Sequence, residues 1–216
     1  MSREKQVSYQ ISNTYSVLNE FTENTKNIWL VCHGIGYLSR YFIRHFNHLN
    51  PNENYIIAPQ AQSKYYLKSD YRHVGASWLT RENTEADIEN VLKYLDEVYA
   101  EEILSKKNIA KTPNLIILGY SQGVSVATRF LTRRKIKCDQ LILHSGKIPA
   151  EISSEDLKFL KDTNVTYLYG TEDEYLKKGI IEVEEERLKT LFPNNLEILT
   201  YNGGHEFNTE IIEKLS

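Results

Sequence analysis

Apolar residues recur along this chain in two rhythms. Unbroken short runs stand at Ile28-Trp29-Leu30-Val31-Cys32, Tyr55-Ile56-Ile57-Ala58, Leu115-Ile116-Ile117-Leu118, Leu141-Ile142-Leu143 and Val165 to Tyr169. Such runs read as strands buried on both faces. Between them Ile88, Val91, Leu92, Leu95 and Val98 fall at helical spacing, with Thr84 and Asp87 predicting a capping box upstream. Gln122 to Arg133, Ser154 to Lys161, Val183 to Leu191 and Glu206 to Leu215 read as further helices, and Leu196 to Tyr201 as a last strand. Near the start Val7, Tyr9 and Ile11 alternate with strand period, and Tyr15 to Phe21 is the predicted hairpin partner. Strands alternating with helices predict an α/β fold with a mostly parallel sheet and helices on both faces. In such a sheet ligands bind at the carboxyl ends of the strands.

Composition narrows the classes. The 216 residues show no repeat, no low-complexity tract and no linker, so residues 1–216 are expected to form one domain. Lys106-Lys107 with Lys111, Arg133 to Lys137 and Glu182 to Glu186 are the densest charge clusters and read as solvated faces. A net charge of −3 gives no footprint for nucleic acid. No apolar run approaches the ~18–20 residues of a membrane span, and Met1 to Gln10 lacks the apolar core of a signal peptide. Cys32 and Cys138 are the only cysteines; they make no zinc-ligand spacing and are expected as buried free thiols. A cytoplasmic location, as monomer or homodimer, is the expectation.

Gly119-Tyr120-Ser121-Gln122-Gly123 stands where a strand meets a helix. The glycines, Gly119 and Gly123, let strand and helix pack closely round a sharp turn that pushes the serine hydroxyl outward. Alone, the pattern also fits a plain strand-to-helix turn with a capping serine. A nucleophilic serine needs a base, and only His144 and His205 follow Ser121. His205 lies on Tyr201-Asn202-Gly203-Gly204-His205, a glycine-rich loop after the last strand, and is the predicted base. His144 ends a strand and reads as structural. The acid belongs in Gly170-Thr171-Glu172-Asp173-Glu174, where three carboxylates stand side by side. Spacing alone does not choose, though a short side chain three residues after the glycine favours Asp173. Two N–H donors must face the developing oxyanion. Gln122 supplies one, and Ile35 in His33-Gly34-Ile35-Gly36 the other, with Gly34 next in line. His33 is expected to hold that loop.

Together these residues resemble the phospholipase/carboxylesterase family of the α/β-hydrolase superfamily, which includes bacterial carboxylesterases and acyl-protein thioesterases. The family's His-Gly-x-Gly, Gly-Phe-Ser-Gln-Gly, Ser-Gly-x-Leu-Pro, Gly-x-x-Asp and Gly-x-x-His-like ending correspond here, in order, to His33 to Gly36, Gly119-Tyr120-Ser121-Gln122-Gly123, Ser145-Gly146-Lys147-Ile148-Pro149, Gly170 to Asp173 and Gly203-Gly204-His205. The resemblance supports Asp173 over its neighbours. It implies a Ser121-His205-Asp173 triad acting on a small-molecule ester or acyl substrate, possessing no metal or cofactor requirement. Thioesters and lysophospholipids fall within the implied range. A peptidase or acyltransferase on this fold, or a silent ligand-binding protein, is the alternative. Tyr37 stands where the family usually has Asp, and Val124 replaces a further elbow glycine.

The segment from Gln60 to Trp78 is long for a connection. Its Tyr65, Tyr66, Leu67, Tyr71 and Trp78 either line an acyl or aryl pocket or pack the loop onto the core. Tyr37 and Tyr175 are expected to border the mouth.

Overall fold

The apolar runs lie side by side in the computed structural model, which describes residues 2–106 and 112–216. The strands are β1 (Tyr15–Leu18), β2 (Asn27–Cys32), β3 (Asn54–Pro59), β4 (Ser63–Tyr66), β5 (Val74–Ser77), β6 (Asn114–Tyr120), β7 (Gln140–His144), β8 (Asn164–Gly170) and β9 (Leu196–Tyr201). The helices are α1 (Ser39–Phe42), α2 (Thr84–Glu102), α3 (Gln122–Arg134), α4 (Ser154–Leu157), α5 (Lys178–Leu191) and α6 (Thr209–Lys214). Seven strands form one sheet in the order β1-β3-β2-β6-β7-β8-β9. Within this sheet, among the described residues, only β1 is antiparallel; the other neighbours pair in parallel.

Register explains the unbroken runs. Trp29 of β2 sits between Ile56 of β3 and Ile116 of β6. Alternate residues of β2 then serve opposite faces. Ile28, Leu30 and Cys32 meet the apolar sides of α2 and α3, and Trp29 and Val31 meet Phe42 of α1 and Ile212 of α6. A strand covered on both sides has no polar face to present. Cys32 and Cys138 are buried free thiols, both pushed up to about 12 by burial.

Several expectations change. Val7, Tyr9 and Ile11 are exposed and form no strand, and β1 pairs with β3 instead. A two-stranded hairpin with nothing to cover it is marginal, whereas the edge of β3 offers β1 a place on a packed sheet. Thr84 and Asp87 make no capping box: Asn83 is the N-cap, and the Thr84 hydroxyl donates back to Thr80 O at 2.8 Å. The box forms at α4, where Ser153 and Asp156 reciprocate. The segment 39–46, α1 followed by a 3-10 turn, has no counterpart in the sequence reading. Lys107 and Lys111 lie outside the described residues. Arg133 and Arg134 pair with Glu85, Glu89 and Asp96 rather than facing solvent alone. Within the acidic cluster Glu184 is buried, accepting the Ile148 N–H at 3.0 Å.

Candidate active site

β6 passes into α3 through Ser121, whose φ of 54° and ψ of −118° lie outside the regions open to most side chains. Such a conformation costs ~1–3 kcal/mol and persists where its surroundings enforce it. Here Ser121 N–H donates to His144 O at 2.8 Å, and Ser121 O accepts from Val124 N–H at 3.1 Å. Close packing requires the flanking glycines. A Cβ on Gly119 would lie 2.5 Å from Val124 Cα, and one on Gly123 would lie 2.0 Å from Cys32 O. Gly146 serves the same end from the β7 side, since its Cβ would lie 2.4 Å from Ser121 O. The sequence reading assigned Gly146 no role; its signal was only its place in the motif from Ser145 to Pro149.

The turn delivers the hydroxyl to an imidazole. Ser121 Oγ lies 2.9 Å from His205 Nε2, and His205 Nδ1 lies 2.7 Å from Asp173 Oδ2. The Asp173 side chain is wholly buried, and its Oδ1 accepts the N–H groups of Tyr175 at 2.9 Å and Leu176 at 3.1 Å. Those donors offset the cost of burying the carboxylate. Glu172 and Glu174, its neighbours, are exposed. The three residues come from the ends of β6, β8 and β9, the carboxyl edge where the alternating topology places ligands.

The histidine loop is held rather than free to swing. Tyr120 Oη donates to His205 O at 2.7 Å, and Tyr201 Oη donates to Glu206 O at 2.5 Å. Glu172 N–H donates to Gly203 O at 2.8 Å, joining the acid loop to the histidine loop. Gly170 permits that contact, because a Cβ there would lie 2.3 Å from the oxygens of both Gly203 and Gly204.

The other two histidines near the elbow are structural. His33 Nδ1 is 2.8 Å from Gly34 O, and its Nε2 accepts the Ala61 N–H at 3.1 Å. Burial pushes its pKa down to about 4. His144 Nε2 accepts the Asn208 N–H at 3.0 Å, and burial lowers its pKa to about 3. Both are therefore neutral acceptors near pH 7.

The loop carrying Ile35 abuts the elbow: a Cβ on Gly34 would lie 3.1 Å from both Ser121 Cβ and the Tyr120 ring. Gly36 N–H is committed to Ala76 O at 2.8 Å and Tyr37 N–H to Gly34 O at 3.3 Å. The side chain of Gln122 makes contacts that the sequence did not suggest. Its Oε1 accepts the Trp78 N–H at 2.9 Å while Nε2 donates to Leu79 O at 2.8 Å.

The aromatic segment divides. It is not a plain connection, since β4 and β5 pair as an antiparallel hairpin within it. Trp78 is a correction to the pocket expectation: it is 1% exposed and donates its indole N–H to His33 O at 2.8 Å. Its size and its donor are both satisfied inside the core. Tyr65, Tyr66, Leu67 and Tyr71 are exposed on the hairpin, with Tyr66 and Tyr71 packed edge to face at 5.0 Å. Tyr37 is half-buried, its ring 5.9 Å from that of Tyr120. Exposed Tyr175 stands edge-on to the His205 ring at 4.7 Å. Among the described residues no three His, Cys, Asp or Glu side chains group to hold a metal ion, and no helix is long and apolar enough to cross a membrane.

Residues 13–216 match the model of a family described as Phospholipase/Carboxylesterase. Zea mays acyl-protein thioesterase 2 is 16% identical, with 94% of this chain and 96% of that one aligned at a TM-score of 0.66. A phospholipase/carboxylesterase from Dyadobacter fermentans is 19% identical, covering 96% of this chain and 97% of its own at 0.65. The Bacillus cereus carboxylesterase is 18% identical, covering 94% and 91% at 0.64. At these identities the likeness is one of fold. No curated protein matches the sequence.

Proposed function

This chain belongs to the phospholipase/carboxylesterase family, a carboxylic ester hydrolase on the α/β-hydrolase fold, and we propose that it cleaves small esters or thioesters through Ser121, His205 and Asp173. The observation that carries this reading is the continuous path from Ser121 Oγ through both ring nitrogens of His205 to Asp173, at 2.9 and 2.7 Å. In this reading Ser121 Oγ attacks the acyl carbon while His205 Nε2 takes its proton. Asp173 holds the Nδ1–H tautomer and balances the imidazolium charge.

The oxyanion is received by the N–H groups of Ile35 and Gln122. Gln122 opens α3, where a first-turn N–H has no intrahelical acceptor. The N–H groups that follow Ile35 in its loop, those of Gly36 and Tyr37, are already bonded to Ala76 O and Gly34 O, so neither competes with Ile35 for the oxyanion. Collapse breaks the bond to the leaving alcohol or thiol, which departs with the proton from His205. Water then attacks the acyl-serine, His205 takes its proton and returns it to Ser121, and the carboxylic acid leaves.

The test is hydrolysis of p-nitrophenyl esters from acetyl to dodecanoyl by wild type and Ser121→Ala, with fluorophosphonate labelling of the wild type. Turnover that vanishes in the variant, and a label on Ser121, are expected. Labelling at Ser121 without turnover would still identify the nucleophile and place the selectivity in the pocket. No label at Ser121, or turnover that survives Ser121→Ala, contradicts the proposal.

A further inference from the structure

A cavity of about 340 Å³ opens beside the Ile35 loop, between α1 and the β4–β5 hairpin. Its walls include Gly36 and Tyr37 from the loop, Arg40 and Tyr41 from α1, and Arg72 and His73 from the hairpin. Hairpin and loop are seated on one another, because a Cβ on Gly75 would lie 2.5 Å from Gly36 O. Gly36 is the residue after Ile35, so the cavity begins ~4 Å along the chain from the proposed oxyanion donor.

The charge around it is unbalanced. From His33 to Arg81 the sequence has six Lys and Arg residues against two carboxylates, Glu53 and Asp70, in a chain of net charge −3. Asp70 does not pair with a guanidinium; it accepts the Arg72 backbone N–H at 3.1 Å. The arginines of α3 and α5 are engaged: Arg129 with Glu151, Arg133 with Glu85 and Glu89, Arg134 with Asp96, Arg187 with the carbonyls of Ile148 and Pro149. Among the described residues no carboxylate pairs with Arg40, Arg44 or Arg72. The guanidinium groups of Arg40 and Arg44 each lie 5.0 Å from the Tyr41 ring centroid, so this ring gathers positive charge beside the cavity.

We infer that this cavity binds an anionic group, a carboxylate or phosphate, carried by the substrate, with Arg40 and Arg72 as its ligands. The inference rests on the assignment of Ser121 as nucleophile and adds the chemistry of the substrate's far end. A guanidinium presents parallel N–H donors that match two oxygens of either anion. An anion there balances the unpaired positive charge of Arg40 and Arg72; a neutral chain does not.

The test is calorimetric titration of the Ser121→Ala protein, which retains an ester without cleaving it. Three ligands are compared: p-nitrophenyl hexanoate, the p-nitrophenyl monoester of adipic acid, and its ω-phosphono counterpart. At least one anionic ester should bind roughly tenfold tighter than the hexanoate. That gain should be lost in Arg40→Gln or Arg72→Gln and should shrink as salt rises from about 50 to about 500 mM. Whether carboxylate or phosphonate gains more identifies the anion. Equal binding of all three, or a gain that survives both arginine substitutions and high salt, overturns the inference. Wild-type assays run alongside separate the two readings. A Ser121 label with hexanoate turnover but no anionic gain overturns this inference alone; an anionic gain without a Ser121 label overturns only the nucleophile.

Discussion

The side chain of Gln122 clasps the backbone at Trp78, with Oε1 accepting its N–H at 2.9 Å and Nε2 donating to Leu79 O at 2.8 Å. One residue thereby ties the turn behind Ser121 to the end of the hairpin that carries half of the neighbouring cavity. Gln122→Ala would leave the Trp78 N–H unpaired, at a cost of ~1–3 kcal/mol, while Leu79 O keeps the Ser77 hydroxyl at 2.8 Å. Its urea midpoint should fall accordingly, while the backbone N–H at 122 remains and Ser121 still takes a fluorophosphonate label. An unchanged midpoint would mean that the clasp carries no stability.

Asp173 differs from its neighbours in what faces it. Asp173→Asn should lower kcat by ~10⁴, the loss seen in another serine triad where the wrong tautomer is held. Glu172→Gln and Glu174→Gln are surface changes and should stay within roughly twofold. Comparable losses from either glutamate variant would move the acid.

Tyr120 is a positioning residue. Tyr120→Phe removes only the hydroxyl that donates to His205 O at 2.7 Å. A loosened imidazole should reduce kcat by about fivefold, with KM little changed, since one hydrogen bond is worth ~1 kcal/mol. A rise in KM at constant kcat would instead assign Tyr120 to substrate binding.

Gly123→Ala puts a Cβ 2.0 Å from Cys32 O, a contact between two backbones that no rotamer can relieve. The substitution should destabilise the fold by ~2 kcal/mol or more. Gly179→Ala is the control, because nothing lies within 4 Å of a Cβ there. Chemical denaturation of the two variants separates close packing from a general effect of losing glycine.

Acid should weaken the fold through buried imidazoles. His33 and His144 are pushed down to about 4 and about 3 by burial. An unfolded imidazole titrates near ~6.5, so below that pH the unfolded chain binds protons that the fold refuses. Stability is therefore complete above ~6.5 and is lost as pH falls, by roughly 1–2 kcal/mol per histidine between pH 7 and pH 5. Urea midpoints at those two pH values measure it, and a flat response would contradict the assignment of both rings as neutral acceptors.

By itself the sequence determined the alternation of strands and helices, the elbow at Ser121, and the loops carrying His205 and Asp173. These are local matters: an apolar run of four or five residues, a helical spacing, or glycines around a sharp turn act within a few residues of chain. Tertiary structure decided whatever depended on a partner remote in sequence. Val7 to Ile11 had strand period but found no sheet edge, whereas Tyr15–Leu18 found β3. Trp78 reads as a pocket residue until His33 O, 45 residues away, takes its indole N–H. Glu184 reads as one solvated charge among four until the fold buries it against the Ile148 N–H. The three adjacent carboxylates likewise differ only through the fold: Asp173 is turned inward and lies 2.7 Å from the imidazole that follows β9, while Glu172 and Glu174 are exposed. Local patterns are written in neighbouring residues, but burial and pairing are set by surfaces that exist only once the sheet has formed.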